Sequence, residues 1–425
     1  MKKVRNLASV AMIFISAIAT AYNTAAQQRF SANLSPLQTL PASSSTARGN
    51  CTAGLSDNDS RIDVGCWLYG LPVGGTAGLY RSGGPGQIGT LVQSLELPPN
   101  ATSLTMFAAT GENLKPSLLA NQWYIQITTI ANPTGELRGQ LKLPNGTYND
   151  YDGDGRTDIQ LYRQSANIFF ALRSTDGGYI EQPLGQPGDS VSLTVDWDGD
   201  GLSDFSVARY AAQAVWRILP STTGILEETP WGSSSLGDFF AAGDYDGDGK
   251  FDIAVFRAGV WYILESSTGN VRYEYWGQSG DVPATNDYDG DGKADLTISR
   301  SEGGQRYWWI KNSSNGEVSM IPWGLSNDGF FTGRADFDGD GKADLMVIRS
   351  EGGQRVYYIR QSSNGALRVA TWGLSSDVVK LGDYDGDGKT DLAVTRAVSG
   401  QRVFFIQQSS NGAMRTETFG LQGDF

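Results

Sequence analysis

The sequence predicts an all-β protein in which an N-terminal β-sandwich is followed by a six-bladed β-propeller. Three observations support this prediction. A nine-residue aspartate motif recurs six times between residues 150 and 391, at spacings of 46, 48, 43, 49 and 47 residues. Short runs of alternating apolar and polar residues surround each copy, and the 54 Gly and 15 Pro residues punctuate those runs. A period of this length holds the four strands of one propeller blade, and a seventh blade would need strands from elsewhere in the chain.

The composition excludes several classes of enzyme. The chain of 425 residues has no His and only two Cys, so it cannot form a Ser-His-Asp triad, a His-based zinc site or a four-cysteine zinc site. Any catalysis must depend on carboxylates, Lys, Tyr or Ser. The formal net charge of −13 argues against binding to nucleic acid or to an anionic membrane surface.

The N-terminus has the pattern of a signal peptide, predicted over residues 1–26. Three basic side chains precede an apolar run over residues 7–21, and a small, polar stretch follows over residues 22–28. Cleavage is expected after Ala21 or Ala26. A membrane anchor is the alternative, but the run is shorter than the ~20 residues that span a bilayer. The expected protein is therefore secreted or at the cell surface, with no membrane insertion after cleavage.

The two cysteines, Cys51 and Cys66, follow the predicted signal peptide. An exported protein folds under oxidising conditions, where one close pair most simply forms one disulfide. Such a bridge would stabilise the fold by ~3 kcal/mol in the chain-entropy model. Two buried free thiols are the alternative.

Residues 30–143 contain no internal repeat and predict a β-sandwich. Trp123, Ile125 and Ile127 alternate with more polar neighbours, as a half-buried strand requires. Regularly spaced short runs of this kind are typical of antiparallel sandwiches. The predicted strands are Cys66–Leu71, Gly89–Leu97, Ser103–Ala108, Trp123–Ile130 and Glu136–Leu143.

Three segments of this first part resemble the CHRD domain first described in chordin. They are Leu34–Gly49, Gly83–Gly86 and, most specifically, Asn121–Leu141. The resemblance implies a β-sandwich and an extracellular setting. Gly78–Arg81 stands where CHRD domains carry a His-x-His-Gly segment, so no histidine function carries over.

Residues 144–425 consist of six repeats that begin with the same motif. The motif Asp-x-Asp-Gly-Asp-Gly-x-x-Asp occupies Asp150–Asp158, Asp196–Asp204, Asp244–Asp252, Asp287–Asp295, Asp336–Asp344 and Asp383–Asp391. One strand is expected to lead into each motif and three to follow it. The leading strand of the first blade is expected near residues 139–148. The tail, residues 419–425, repeats the linker between blades and is expected to lie beside blade one as a closing strap.

The motif has the chemistry of a calcium loop. Four carboxylates within nine residues repel one another unless a cation lies among them, and Gly at positions four and six lets the chain curl around it. Positions one, three, five and nine offer carboxylate oxygens and position seven a backbone carbonyl, a donor set suited to Ca²⁺. About six ions are expected, one per loop. The predicted ligands are Asp150, Asp152, Asp154, Arg156, Asp158, Asp196, Asp198, Asp200, Leu202, Asp204, Asp244, Asp246, Asp248, Lys250, Asp252, Asp287, Asp289, Asp291, Lys293, Asp295, Asp336, Asp338, Asp340, Lys342, Asp344, Asp383, Asp385, Asp387, Lys389 and Asp391.

The motif is not an EF-hand, because its twelfth position is apolar in every copy. The repeats instead resemble the FG-GAP/VCBS repeats of integrin α-subunit propellers and of many exported bacterial proteins, over residues 144–425. That resemblance implies calcium binding by the loops. A purely structural ion is the favoured interpretation, with an ion that bridges to a ligand, or solvated turns without metal, as the alternatives.

Two other features recur in every repeat. An Arg stands five residues after the last Asp of each motif, and an aromatic run follows it. The arginines either line a polyanion site or pair identically between blades, and recurrence favours pairing. The aromatic residues Trp308, Trp309, Tyr357 and Tyr358 either pack in the core, which is favoured, or stack on sugars.

These observations predict a secreted or cell-surface, calcium-stabilised binding or adhesion protein that presents propeller loops to an extracellular protein or glycan. They carry no prediction of oligomeric state. The alternative is a polysaccharide lyase or glycoside hydrolase, whose carboxylates would come from Glu112, Glu265, Glu302 and Glu351. Glu302 and Glu351 lie in a repeated Arg-Ser-Glu-Gly-Gly-Gln-Arg segment, which favours an architectural role.

Overall fold

The computed structural model of the chain describes residues 29–56, 58–71, 73–84, 87–143, 148–191, 194–331, 333 and 335–425. The predicted signal peptide lies outside these residues. The described residues form eight small antiparallel sheets, of which two belong to the N-terminal half and six to the repeats. The all-β prediction is therefore confirmed.

The N-terminal half is a sandwich of two four-stranded sheets, with orders β1-β2-β3-β6 and β5-β4-β7-β8. A short helix, α1 (Lys115–Leu119), and a 3₁₀ turn (Pro36–Gln38) lie in its connections. The strands are β1 Arg29–Leu34, β2 Arg48–Leu55, β3 Arg61–Tyr69, β4 Gly75–Arg81, β5 Thr90–Leu97, β6 Ser103–Ala109, β7 Trp123–Thr129 and β8 Leu137–Gln140.

The sandwich core lies between the two sheets because apolar residues alternate along the strands. Ile62 and Val64 of β3 are fully buried, whereas Asp63 between them faces away from the core. Ile125 and Ile127 of β7 are buried in the same cluster, as their alternation predicts.

One disulfide crosses the first sheet. Cys51 of β2 lies directly opposite Cys66 of β3, and the two side chains are bonded and buried. The prediction of a single bridge is confirmed, and the alternative of two free thiols is wrong.

The repeats form six blades. Each of blades two to six has four antiparallel strands in sequence order, and blade one has three strands of its own. The strands are, in blade one, β9 Ile159–Arg163, β10 Ile168–Leu172 and β11 Tyr179–Pro183; in blade two, β12 Ser190–Val191, β13 Phe205–Arg209, β14 Val215–Leu219 and β15 Glu227–Pro230; in blade three, β16 Phe239–Phe240, β17 Ile253–Arg257, β18 Val260–Leu264 and β19 Val271–Tyr275; in blade four, β20 Val282–Pro283, β21 Leu296–Glu302, β22 Gln305–Lys311 and β23 Val318–Leu325; in blade five, β24 Gly329–Phe330, β25 Leu345–Glu351, β26 Gln354–Arg360 and β27 Leu367–Leu374; in blade six, β28 Val378–Val379, β29 Leu392–Val398, β30 Gln401–Gln407 and β31 Met414–Leu421.

Neighbouring blades bury their apolar faces against each other. Trp216 of blade two shares a buried cluster with Phe251 from the loop of blade three, and Trp308 of blade four shares one with Val347 of blade five. Trp308 and Tyr357 are buried, which confirms core packing for these two, whereas Trp309 and Tyr358 are half-buried and lie against Arg300 and Arg349. Trp side chains near the ends of the outer strands also donate across to the next blade: Trp231 Nε1 to Tyr262 O (3.2 Å), Trp323 Nε1 to Tyr358 O (3.2 Å) and Trp372 Nε1 to Phe405 O (3.0 Å).

The C-terminus supplies the strand that blade one lacks. The amide of Phe425 donates to Tyr162 O (3.0 Å), and the amide of Tyr162 in β9 donates to Phe425 O (2.8 Å). Blade one also packs against blade six, where Leu161 and Phe404 share one cluster. The tail is therefore the closing strap, and the ring closes with six blades. The leading strand expected near residues 139–148 is wrong, because Gly139 belongs to β8, where it pairs with β7 in the sandwich.

The recurring arginines pair with a second set of recurring aspartates, which lie just before the leading strands and are almost fully buried. Each pair lies within one blade, so the expected pairing between neighbouring blades is wrong. A residue that repeats in this way neutralises its partner identically in each blade, so the arginines serve the architecture. The pairs are Arg163–Asp424, Arg209–Asp189, Arg257–Asp238, Arg300–Asp281, Arg349–Asp328 and Arg396–Asp377.

Deleting Asp424 and Phe425 should lower the stability of the propeller. The deletion removes the two backbone hydrogen bonds to Tyr162 and the ion pair with Arg163, a loss of roughly 2–4 kcal/mol at typical values for such bonds. Asp377→Asn is the control, because it breaks the equivalent pair inside blade six but leaves the ring joined. Thermal unfolding measures the effect, and equal melting temperatures for the deletion and the wild type would contradict the closure.

Candidate metal centres

Each Asp motif forms a tight loop, and loops one to six are numbered as the blades that they begin. The glycines at positions four and six have φ between 75° and 91° in all six loops. A residue with a Cβ rarely adopts this left-handed backbone conformation, which explains why both positions are Gly. The loop thereby turns its backbone amides inward, toward the first aspartate.

The first carboxylate of each loop is held by those amides. In loop six, Asp383 Oδ1 accepts a hydrogen bond from Gly386 N (2.6 Å) and Oδ2 accepts one from Gly388 N (2.9 Å). The same two bonds recur in the other five loops. The orientation of this carboxylate is thus fixed by the backbone.

The ninth carboxylate joins the loop to a distant turn of its own blade. Asp391 Oδ2 accepts from Tyr384 N (2.8 Å) within loop six, and Oδ1 accepts from Ser409 N (2.6 Å) in the turn after β30. The neighbouring Ser410 Oγ donates to Asp385 Oδ2 (2.6 Å) at position three. Corresponding contacts occur in blades two to five. In blade one, Thr175 donates to Asp152 through its backbone amide and to Asp154 through its hydroxyl. The serines that donate to the ninth aspartate lie 14 to 18 residues after it, so only their recurrence once per repeat, and not a fixed spacing, could have identified them from the sequence.

The loops bring three of the four predicted carboxylates together, and the full ligand set, with its position-seven carbonyl, stays a prediction. In each of loops one to five, three aspartates offer oxygens that lie within 4.8 Å of one another. The groups are Asp150, Asp152 and Asp158; Asp196, Asp198 and Asp204; Asp244, Asp246 and Asp248; Asp287, Asp289 and Asp291; and Asp336, Asp338 and Asp344. Such clusters of hard oxygen donors could hold a cation.

The electrostatics of the loops also fit a cation. Burial, together with the charge of Asp200, raises the pKa of Asp196 to about 8. Burial and the charge of Asp198 raise the pKa of Asp204 to about 9. Burial and the charge of Asp289 raise the pKa of Asp295 to about 8. Without a positive charge among them these carboxylates resist ionisation, and a bound cation would remove that resistance.

Position seven has a second function that the sequence did not reveal. Its side chain in four loops is a lysine that lies across the position-four glycine of the preceding loop. Lys293 of loop four lies along Gly247 of loop three, and its Nζ donates to Asp246 O (3.0 Å). Lys250, Lys342 and Lys389 lie in the same way against loops two, four and five. These lysines connect successive loops around the ring.

Loop one differs from this pattern. Position seven of loop two is Leu202, so an apolar side chain and not an ammonium covers Gly153 of loop one. A lysine reaches loop one from the sandwich instead: the buried Lys142 forms an ion pair with Asp150. The position-seven residue of loop one, Arg156, pairs with Asp154 of its own loop (Nε to Oδ2, 2.8 Å).

The four glutamates considered as alternative catalytic groups each pair with an arginine. Glu112 accepts from Arg81 in the sandwich, and the other three lie in three different blades. Their partners are Arg272 for Glu265, Arg300 for Glu302 and Arg349 for Glu351. The structure does not bring these glutamates together as a pair.

Comparison with known families supports both resemblances. A CHRD domain model matches residues 30–141, and an FG-GAP-like repeat model matches residues 196–255, 287–347 and 336–394. The chain therefore carries a CHRD domain followed by FG-GAP-like repeats. Comparison with curated proteins gave no match. Within the described residues, no helix has the length and apolar character to cross a membrane.

Several solved structures are similar to the chain at low sequence identity. They include a protein from Lactobacillus plantarum (11% identity, 82% of this chain and 98% of that chain, TM-score 0.33). A periplasmic gluconolactonase, PpgL, from Pseudomonas aeruginosa has 14% identity over 83% of this chain and 97% of that chain, with a TM-score of 0.35. The WD40 domain of coronin from Toxoplasma gondii has 10% identity over 93% and 87%, with a TM-score of 0.29. Likenesses at this level do not bear on function.

In a chelator, the melting temperature of the protein should fall as the pH rises toward about 9. Unfolded Asp side chains titrate near pH 4, whereas Asp196, Asp204 and Asp295 keep their protons to about pH 8–9 in the folded, metal-free loops. The folded chain then binds more protons over that interval, so its free energy of unfolding decreases with rising pH. Thermal unfolding between pH 5 and pH 9 tests this, and a melting temperature that stays constant in chelator would contradict it.

Proposed function

We propose that the chain is an exported, calcium-stabilised binding protein whose propeller loops contact an extracellular protein or glycan. The observation that supports this proposal most directly is the recurrence of one carboxylate cluster, with one hydrogen-bonding pattern, in successive blades. Each loop would hold one calcium ion through the carboxylates of positions one, three, five and nine and the carbonyl of position seven.

A structural function of the ion follows from where the loop carboxylates are attached. The loop lies between the first two strands of a blade, and its ninth aspartate also holds the turn between the third and fourth strands. An ion among these carboxylates would connect the loop before the second strand with the turn before the fourth strand of the same blade. Because it would bind the folded loop far better than the unfolded chain, its binding free energy would add to folding stability.

Export is supported by two features. The buried disulfide Cys51–Cys66 suits an oxidising compartment. The predicted signal peptide, which lies outside the described residues, would direct the chain there.

The rim of the propeller opposite the Asp loops offers an asymmetric surface for a partner. The two strands after the loop are seven residues long in blades four, five and six but five residues long in blades one to three. The longer hairpins therefore extend further at their exposed turns, which contain Glu302, Glu351 and Ser399. We propose that these three turns form the partner surface.

Calcium removal should lower the melting temperature of the propeller, and added calcium should restore it. Asp289→Asn combined with Asp291→Asn should lower the bound calcium by one ion per chain and destabilise blade four, because it removes two ligands of loop four. Asp176→Asn, at an exposed turn outside the motif, is the control and should keep the full count. Elemental analysis measures the ions, and a purified protein without calcium that melts identically in chelator would refute the proposed loops.

Charge reversal on the long hairpins should weaken partner binding. Glu302→Lys with Glu351→Lys should reduce binding at least tenfold, because it inverts the charge of two of the three exposed turns. Glu317→Lys with Asn364→Lys is the control, since it adds positive charge to blades four and five at the opposite rim. Glycan arrays and pull-down from extracellular fractions identify the partner, and titration with it measures the change. Equal losses for both variants, or turnover of a polysaccharide with no stable binding, would contradict the proposed surface.

A further inference from the structure

The sandwich lies against the propeller at three neighbouring Asp loops. Gln38 Nε2 donates to Gly153 O of loop one (2.9 Å) and to Asp152 O (3.3 Å). Asn33 Nδ2 and Asn50 Nδ2 reach a carbonyl in loop two, 3.4 Å and 3.3 Å away, and Asn121 Nδ2 reaches Asp383 of loop six (3.5 Å). The contacts of the sandwich thus centre on loop one.

The fit at loop six is close enough that only glycine is tolerated. A Cβ added to Gly388 would lie 2.0 Å from Leu119 O and 3.1 Å from Ala120 Cα, both in the sandwich. A Cβ at the equivalent Gly292 of loop four would meet no atom within 4 Å. The two glycines have nearly the same φ, +84° and +87°, so they differ in the sandwich contact and not in the backbone.

The sandwich buries loop one and adds a charge to it. The four aspartates of this loop are between 0% and 6% exposed. Two cationic side chains offset part of their charge: Lys142, which comes from the sandwich, and Arg156, which belongs to the loop. Four negative and two positive charges leave two negative charges, which is the charge that one calcium ion balances.

Loop three shows the contrast. It has the same four aspartates, but Asp246 is half-buried and Asp248 is exposed. Water can screen the residual charge of such a loop, whereas the docked sandwich excludes water from loop one. Burying two uncompensated charges is strongly unfavourable. Of the three loops that the sandwich contacts, loop one alone has all four aspartates buried, so its residual charge is the one most in need of an ion at the interface.

We propose that calcium in loop one holds the sandwich against the propeller, with Lys142 as the positioning residue that completes the charge balance. The inference rests on the proposed calcium binding. When loop one loses its ion, the interface retains two buried negative charges and the sandwich separates. Because linkage is reciprocal, the docked sandwich in turn strengthens calcium binding by loop one.

Two matched variants of the full chain test this proposal. Asp152→Asn with Asp158→Asn disables loop one, and Asp246→Asn with Asp252→Asn makes the same change in loop three. X-ray scattering gives the radius of gyration, and hydrogen exchange reports on the sandwich segment around Asn33 and Gln38. Because the loop-one variant loses two negative charges, its interface is neutral without the ion, and it should stay compact and protected from exchange in that segment in chelator as well as in calcium. In chelator, the wild type and the loop-three variant should both be expanded and exchange rapidly there. Equal behaviour of the two variants would overturn the proposal.

A second variant keeps all loop carboxylates and so decides the matter if the first does not fold. Lys142→Met removes only the sandwich charge, and the calcium concentration at the docking midpoint should rise at least tenfold. Lys293→Met, which removes the lysine that loop four extends to the backbone of loop three, is the control and should leave that midpoint unchanged. An unchanged midpoint in Lys142→Met would also overturn the proposal.

The outcomes separate this inference from the proposed function. A wild-type protein that binds no calcium would refute both. A protein that binds calcium in its loops, but whose radius of gyration and hydrogen exchange are the same in calcium and in chelator, would refute only the calcium-dependent docking of the sandwich. Gly388→Ala, compared with Gly292→Ala, checks the interface itself, because only the first should displace the sandwich in calcium.

Discussion

The convergence of four carboxylates within nine residues is the constraint on which the rest of this structure depends. Convergence requires a left-handed backbone at two positions, which only Gly adopts easily. It also requires hydrogen-bond donors for the carboxylate oxygens, which would otherwise repel one another. The backbone amides and the Ser or Thr turn of the same blade supply those donors. On the proposed function, a cation offsets the remaining negative charge, and the carboxylate cluster ties together segments that are far apart in the sequence. One electrostatic requirement thus organises each blade.

A second carboxylate set recurs within the blades, and its last member closes the ring. Each of these aspartates is buried and paired with the arginine that follows the loop, so charge is compensated at both ends of the strands. The last pair, Asp424 with Arg163, lies between the two ends of the repeat region. Because the chain contains an incomplete first blade and a matching tail, closure uses the same contact as every other blade.

The six similar repeats become inequivalent because the sandwich packs against loops one, two and six and, in the described part of the chain, not against the others. Lys293 reaches a carbonyl of the preceding loop, Asp246 O. Where Leu202 interrupts this series, Gln38 of the sandwich donates to the corresponding carbonyl, Asp152 O. The sandwich therefore takes the place of a missing lysine, and loop one becomes part of an interface and not only of a blade.

The sequence by itself determined the repeat period, the strand alternation, the disulfide and the aspartates that converge, because all of these depend on local pattern. It did not reveal the second aspartate set, since a single Asp near a turn, such as Asp281, carries no local signal of its partner. It also placed the first leading strand wrongly, near Gly139, because strand propensity is the same in a sandwich and in a blade. Only the tertiary structure decided that Lys142 meets Asp150 and that Gln38 lies on loop one. Those contacts join surfaces whose complementarity exists only after both domains have folded.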